Sequence, residues 1–336
     1  MFERKNIMLK MKHLVENKAL AQYALRSWNH DQATLEKWLN RFRISSNAVY
    51  PFMQDGSLAF LRLAPEEEKQ DAQVQAELDF LAYLHAQGYP AMQSLPSLDG
   101  AALVRIDSPW GRYLASAFAC VPGVPVEDAP PDERVMTRYG EALGRLHALS
   151  ARYVPVRRRQ SHADALAWTA RTLAAHHAPD CMLEVCDRIA CRLSAMPKNR
   201  ETYGLVHYDF EPDNVFWDEA QDCCHVIDFD DSMYHFYVLD IEQALDALDE
   251  MLSEQGRASF SEAAQAQFLA GYRLHFPLSE DMLAQRPLMR AFCDIYAYAR
   301  LLHCLSDRPS PEPEWMPGLC ARLEGRMRHL EARLHV

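Results

Sequence analysis

Residues 203–231 read YGLVHYDFEPDNVFWDEAQDCCHVIDFDD, and their spacing decides how the rest of the chain is read. Gly204-Leu205-Val206 runs apolar into His207-Tyr208-Asp209-Phe210-Glu211-Pro212-Asp213-Asn214. Val215-Phe216-Trp217 has strand character, residues 218–222 supply turn formers, and Cys224-His225-Val226-Ile227 returns to Asp228-Phe229-Asp230-Asp231. A hairpin over these two short strands brings Asn214 and Asp228 to one edge, with Asp209 in the loop ahead of it. An amide oxygen and a carboxylate are hard oxygen ligands suited to Mg²⁺. A neighbouring carboxylate can orient or deprotonate a hydroxyl. Phosphoryl transfer requires these parts: a metal that neutralises phosphate charge and a group that positions the nucleophile. Singly, each residue reads as a turn acid or a capping Asn. As a set between apolar strands they point to a ligand.

Outward from that segment the chain changes period. Residues 1–40 show apolar positions at helical spacing, from Leu14 and Ala21 to Trp38 and Leu39. Residues 43–52 and 58–63 read as a β-hairpin around Gln54-Asp55-Gly56-Ser57. Pro65 is expected to open a helix over residues 66–86, ended by Gly88 and Pro90. Two more strands, 101–106 and 113–120, follow. The segment 121–131, with four prolines and one glycine, is the best boundary. Beyond it the pattern is helical except at 203–227. Met136, Tyr139, Leu143, Leu146 and Leu149 mark one face of a helix over 133–151. Arg157-Arg158-Arg159 reads as a solvated connection. The expected architecture is α+β and bilobal. Residues 1–121, with their preceding helices, form a small antiparallel β-sheet lobe with one key helix. Residues 122–336 form a larger helical lobe carrying the loop at 204–231.

Length and composition agree. A chain of 336 residues with 49% apolar and 24% charged residues is ordinary for a globular protein with a substantial core. The net charge of −12 argues against nucleic-acid or anionic-membrane partners, which need clustered positive charge. Nine cysteines without a C-x-x-C pair read as free thiols, neither bridges nor a zinc site. Without an apolar leader in MFERKNIMLKMKHLVENKAL or a long apolar run, the expected setting is cytoplasmic.

With these residues in view, the chain resembles the aminoglycoside phosphotransferase-like kinases, a superfamily with the protein-kinase fold that includes choline kinases and a homoserine kinase branch. Their catalytic loop carries His-x-Asp and, after four intervening residues, Asn; a metal-binding Asp closes the hairpin downstream. His207, Asp209, Asn214 and Asp228 match these positions. The resemblance implies Asp209 as catalytic base, Asn214 and Asp228 as Mg²⁺ ligands, and His207 as a brace. It further implies that Arg62, in place of the more usual Lys, meets the α- and β-phosphates and is held by Glu77. Ser45, Ser46 and Asn47 lie where such kinases cover the phosphates, here without glycine. Ala119 and Val121 lie where the inter-lobe backbone meets adenine, His147 where a helix backs the catalytic loop, and Asp240 where an acid braces it. Asp230 stands one residue past Phe229, where protein kinases carry glycine, able to assist the metal or to face water. The implied activity is transfer of the γ-phosphoryl group of ATP, with GTP left open, to a hydroxyl of a small acceptor such as an aminoglycoside, a choline-like or a homoserine-like alcohol. Asp230, Asp231, Glu242, Asp246, Asp249 and Glu250 are candidates to meet a cationic group on it. The other readings are a protein Ser/Thr kinase, against which stands the short stretch between Asp228 and Asp240, and a nucleotide-binding protein without turnover.

Overall fold

The computed structural model describes residues 9–334, so the first eight residues of the expected N-terminal helical stretch lie outside the described residues. That stretch is helical only in part. A 3₁₀ turn at Met11–His13 precedes α1 (Lys18–Leu25) and α2 (Leu35–Leu39). Between them Asp31 accepts from the Ala33 N–H and the Thr34 hydroxyl and donates its own N–H to Met53, an Asx turn that breaks the helix.

The strand expected at 43–52 is two strands. β1 (Arg43–Ile44) reverses through Ser45-Ser46-Asn47 into β2 (Ala48–Gln54), and β3 (Ser57–Pro65) follows. Pro65 does not open a helix. It pairs with Tyr113 as the last residue of β3, and the Glu66 N–H prolongs that pairing onto Arg112. The helix α3 starts later and spans Asp71–Ala86. Next come β4 (Ser94–Leu95), β5 (Val104–Ser108) and β6 (Gly111–Ala119). The antiparallel sheet runs β1-β2-β3-β6-β4, with β5 also on β6. Its two faces bury different partners because side chains alternate along a strand. Leu61 and Leu63 pack with Leu20, Leu25 and Trp28, whereas Ala64 and Leu114 join Leu78 and Leu81 of α3. Arg62 therefore faces α3.

β7 (Val124–Pro125) leaves the sheet and pairs with β9. The remaining elements are α4 (Glu133–Ser150), α5 (His162–Ala175), α6 (Asp180–Ala195), β8 (Tyr203–Val206), β9 (Val215–Asp218), β10 (Cys223–Val226), β11 (Met233–Phe236), α7 (Val238–Glu254), α8 (Ser261–Arg273), α9 (Glu280–Leu283), α10 (Arg286–Leu305) and α11 (Met316–Leu334). β9 and β10 form the expected hairpin, and β8 pairs with β11. α4 and α8 meet backbone to backbone: a Cβ built on Gly140 would lie 1.8 Å from the Phe268 carbonyl oxygen. One core runs from α3 through the helical lobe, with Phe80 packed on Phe229 and Tyr153. The cysteines are free thiols among the described residues, and no described helix is long and apolar enough to cross a membrane.

Candidate active site

Asp209 is buried in the loop between β8 and β9. Asn214 ties it down: its Nδ2 donates to the Asp209 carbonyl at 3.0 Å and to Oδ2 at 2.9 Å. The amide NH₂ used there leaves the Asn214 oxygen as the end suited to a cation. The hairpin register pairs Val215 with Val226, and the Ile227 N–H donates to the Asn214 carbonyl at 3.0 Å. Asp228 thus leaves β10 beside Asn214. Asp209, Asn214 and Asp228 line one cavity of about 370 Å³, together with Ser45 and Ser46.

The backbone here is held in uncommon conformations. Tyr208 has φ 71° and Asp228 φ 64°, the left-handed region that non-glycine residues seldom adopt. Asp240 holds the first of these. Fully buried at the start of α7, it accepts the N–H of His207 at 2.7 Å and of Tyr208 at 2.8 Å. His147 lies 3.0 Å from the same carboxylate through Nε2 and 2.8 Å from the Tyr272 hydroxyl through Nδ1. His207 bridges the loop to the hairpin: Nε2 donates to the Ile227 carbonyl at 2.9 Å, while Nδ1 accepts the Asp209 N–H at 3.2 Å. Both imidazoles are buried packing groups, as the sequence suggests.

The acids strain one another electrostatically. Burial, then Glu211, Asp228 and Asp231, raise the Asp209 carboxyl well above its usual range. Burial and Asp230 push Asp228 up to about 7, against the opposing pull of Arg62. A divalent cation among these oxygens would relieve both effects. Mg²⁺ fits the donor set, because it takes one or two protein oxygens and completes its shell with phosphates and water. Among the described residues, no group of three His, Cys, Asp or Glu side chains is arranged to hold a metal ion.

Arg62 and Glu77 meet as the spacing suggests. Nη1 and Nη2 donate to the two Glu77 oxygens at 2.8 and 2.7 Å, both residues are buried, and the guanidinium lies 4.8 Å from the Phe118 ring centroid. Burial works against the Arg62 charge, but Glu77, Asp230 and Asp228 outweigh it and hold the guanidinium above its ordinary range. Each Nη keeps a second hydrogen, so an Arg satisfies Glu77 and still presents donors outward.

Other expected site residues are placed differently. Asn47 is buried and donates to Asp230 Oδ2 at 2.9 Å, so its amide is engaged across the lobes and does not line the cleft with Ser45 and Ser46. Asp230 neither faces water nor stands free for a metal. Lys69 Nζ also reaches its Oδ2, at 2.5 Å, and Arg159 donates to its carbonyl. Nor is Arg159 part of a solvated connection; it is buried and donates to the Ser232 and Gln73 carbonyls, each at 2.7 Å. Glu242 is buried beneath Arg286 and Arg290, each at 2.6 Å. Asp246 pairs with Arg290, Asp249 accepts from Ser261, and Asp231 pairs with Arg300 at 2.9 Å. Of the six acids offered for a cationic acceptor, Glu250 and Asp246 line a second cavity of about 350 Å³, which it shares with Asp209. At the inter-lobe segment, Ala119 donates its N–H to the Gln93 carbonyl at 2.9 Å, and the Val121 carbonyl accepts from Cys120 Sγ at 3.4 Å. Sequence reasoning missed Lys69, Arg159 and Arg300. Each acts on residues 69 to 161 positions away, and no local pattern announces that.

Comparison with known proteins follows the same geometry. An amicoumacin kinase of Bacillus subtilis is 26% identical over 237 residues, covering 68% of this chain and 69% of that protein. A homoserine kinase of Caulobacter vibrioides is 29% identical over 226 residues, 64% of this chain and 67% of that protein. Among solved structures, an amicoumacin kinase in complex with AMP-PNP and Ca²⁺ superposes with a TM-score of 0.74 at 20% identity, covering 94% of both chains. A microcompartment-associated aminopropanol kinase gives 0.65 at 21% identity, covering 95% of this chain and 98% of that one. The bilobal α+β kinase-like fold is common to them. The profile of the phosphotransferase enzyme family (APH) matches residues 39–277, from α2 through the Asp209 loop and the α4–α8 contact, so the chain belongs to that family and is a kinase acting on a hydroxyl group.

Proposed function

We propose that the cleft moves the γ-phosphoryl group of ATP to a hydroxyl of a small molecule, with Asp209 as base, Asn214 and Asp228 as Mg²⁺ ligands, and Arg62, held by Glu77, on the α- and β-phosphates. Bound Mg²⁺ would supply charge neutralisation between phosphate oxygens. The chain's own residues do the rest. Asp209 accepts a hydrogen bond from the incoming hydroxyl and takes its proton as the bond to phosphorus forms. Asn214 fixes the orientation of Asp209, and Arg62 fixes the phosphates in line with it. Ser45 and Ser46 donate to phosphate oxygens from the β1–β2 turn, while Asn47 holds that turn to Asp230. Ala119 and Val121 present backbone to the base of the nucleotide. In this reading the segment up to residue 121 serves the nucleotide, and the remainder serves the acceptor. The single observation that carries the reading is the convergence of Asp209, Asn214 and Asp228 on one cavity beside a buried Arg62–Glu77 pair.

The acceptor enters over the cavity shared by Asp209, Glu211, Asp246 and Glu250, whose acids suit a cationic group. A small molecule fits better than a protein segment, because only β11 and two short turns separate Asp228 from α7, leaving no long segment to bind a polypeptide. The test is ATP consumption across aminoglycosides, choline-like alcohols, homoserine and generic protein substrates, with and without Mg²⁺, in the wild type and Asp209→Asn. The expected result is Mg²⁺-dependent turnover on a small alcohol that falls roughly 10²–10⁴-fold in the variant. Nucleotide stabilisation without turnover on any acceptor would favour a binding protein instead.

A further inference from the structure

Arg157-Arg158-Arg159-Gln160 lies between α4 and α5 and runs beside β11, where the Tyr234 N–H donates to the Gln160 carbonyl at 2.9 Å. The stretch thus belongs to the helical lobe, yet each of its four residues is joined to α3. Arg157 Nη1 donates to Asp79 Oδ2 at 2.7 Å, the Arg158 carbonyl accepts from Gln73 Nε2 at 3.5 Å, and the Gln160 N–H donates to Gln73 Oε1 at 3.0 Å. Arg159 is the buried centre of this contact, with 6% of its surface exposed. Its Nη1 donates to the Gln73 carbonyl at 2.7 Å, its Nε to the Ser232 carbonyl at 2.7 Å, and its Nη2 to the Asp230 carbonyl. All three acceptors are main-chain oxygens, so the guanidinium fixes backbone against backbone. Gln73 lies one helical turn before Glu77, about 6 Å along the axis. Asp230 lies two residues after Asp228. One side chain therefore ties the backbone beside the Arg62–Glu77 pair to the backbone beside the metal-binding acid. The Asp230 carboxylate extends the tie, accepting from Asn47 of the β1–β2 turn at 2.9 Å and from Lys69, two residues before α3, at 2.5 Å.

Resting on the phosphotransfer reading above, we infer that Arg159 is a positioning residue for the nucleotide phosphates: it sets α3 against the Asp228 segment and so holds Glu77 where Arg62 meets the phosphates. Apolar packing does not do this alone. The contact of Phe80 on α3 with Phe229 is non-directional and leaves the helix free to turn and slide by small amounts. The guanidinium is a planar, always charged fork, and three acceptors on two separate elements define its plane and its reach. A shift of α3 along its axis breaks the Gln73 bond, and a shift of the Asp228 segment breaks the other two. Arg159 acts through Glu77 and the backbone of Asp230 and takes no part in the chemistry.

The experiment needs no acceptor. Dissociation constants for AMP-PNP with Mg²⁺ and for adenosine are measured by titration calorimetry on the full chain. Arg159→Met keeps an extended side chain and removes its donors. It should weaken AMP-PNP by roughly 10- to 100-fold, the worth of one hydrogen bond to a charged group. Adenosine, which lacks phosphates, should stay within about twofold. Arg159→Lys should fall between, because one ammonium cannot span acceptors on two elements. Since Arg159 acts through Glu77, its replacement in a Glu77→Gln background should cost less than about threefold more. Equal losses for AMP-PNP and adenosine would mean a general loosening of the fold and overturn the inference. Unchanged AMP-PNP affinity in Arg159→Met, or full additivity with Glu77→Gln, overturns it as well. In each of these cases the phosphotransfer reading stands. A wild type that does not bind AMP-PNP with Mg²⁺ removes both together. Should the Arg159 variants not fold, Gln73→Ala decides, because it frees α3 from Arg158 and Gln160 while the buried guanidinium stays. A loss of about threefold confined to AMP-PNP supports the inference, and no loss overturns it.

Discussion

Replacing Asp240 by Ala tests the claim that this one carboxylate maintains the conformation of the catalytic loop. It is fully buried and receives three hydrogen bonds, from the N–H of His207 at 2.7 Å, the N–H of Tyr208 at 2.8 Å and Nε2 of His147 at 3.0 Å. A hydrogen bond to a charged group is worth about 1.5–3 kcal/mol net, and an abandoned buried N–H costs its desolvation besides. The two backbone bonds alone therefore amount to about 3–6 kcal/mol, a large share of the ~5–15 kcal/mol that holds a typical domain together. Tyr208 adds to this: its φ of 71° lies in the left-handed region, a conformation that costs energy and that the Asp240 bond to its N–H helps to hold. Equilibrium denaturation in urea should show a loss of at least ~3 kcal/mol for Asp240→Ala, and about half that for Asp240→Asn, which keeps one acceptor oxygen. In Asp240→Asn, kcat should fall about 10²-fold with little change in the KM for ATP, because Asp209 is displaced while the Arg62–Glu77 pair is untouched. Hydrogen exchange at the Tyr208 amide should accelerate in step. Loss of less than 1 kcal/mol, with the Tyr208 amide still protected, would refute the role assigned to Asp240.

Arg62→Ala is expected to destabilise the fold by about 3–5 kcal/mol, since it strands Glu77, which has no exposed surface. The double variant Arg62→Met/Glu77→Leu should recover most of that stability while nucleotide affinity stays low, and recovery of both would remove Arg62 from the phosphate site. Stability should fall on acidification from pH 6.5 to 4, because burial, aided by Lys198, lowers the His162 imidazole to about 4. The unfolded chain then binds the proton more tightly across that window, so stability rises with pH, by about 1–3 kcal/mol for this group. His162→Gln should flatten the slope, and an unchanged slope in chemical denaturation would contradict this. Gly140→Ala should cost about 1–3 kcal/mol or more, because its Cβ would overlap the backbone of α8 at Phe268, and a neutral effect on the thermal midpoint would show that the helices slide apart freely.

Much of this molecule is legible in one dimension. The Asp209–Asn214–Asp228 set is close in sequence, and a short hairpin has little freedom in how it closes, so spacing alone brings these groups together. Arg62 and Glu77 are similarly constrained by strand alternation on one side and a helical face on the other. The errors came where local signals tie. Pro65 is as acceptable at a strand end as at a helix start, and pairing with Tyr113 settled it. Three consecutive arginines look solvated until Arg159 finds backbone carbonyls 71 to 86 residues away. Acids that seem free for a substrate are neutralised by arginines from distant helices, as Glu242 is by Arg286 and Arg290. The sequence by itself determined the fold class, the hairpin edge and the chemistry its oxygens support, because those depend on residue type and short spacing. Only the tertiary structure decided which charges are already paired, as Asp230 is with Lys69 and Asp231 with Arg300, because pairing between distant residues depends on how the helices pack.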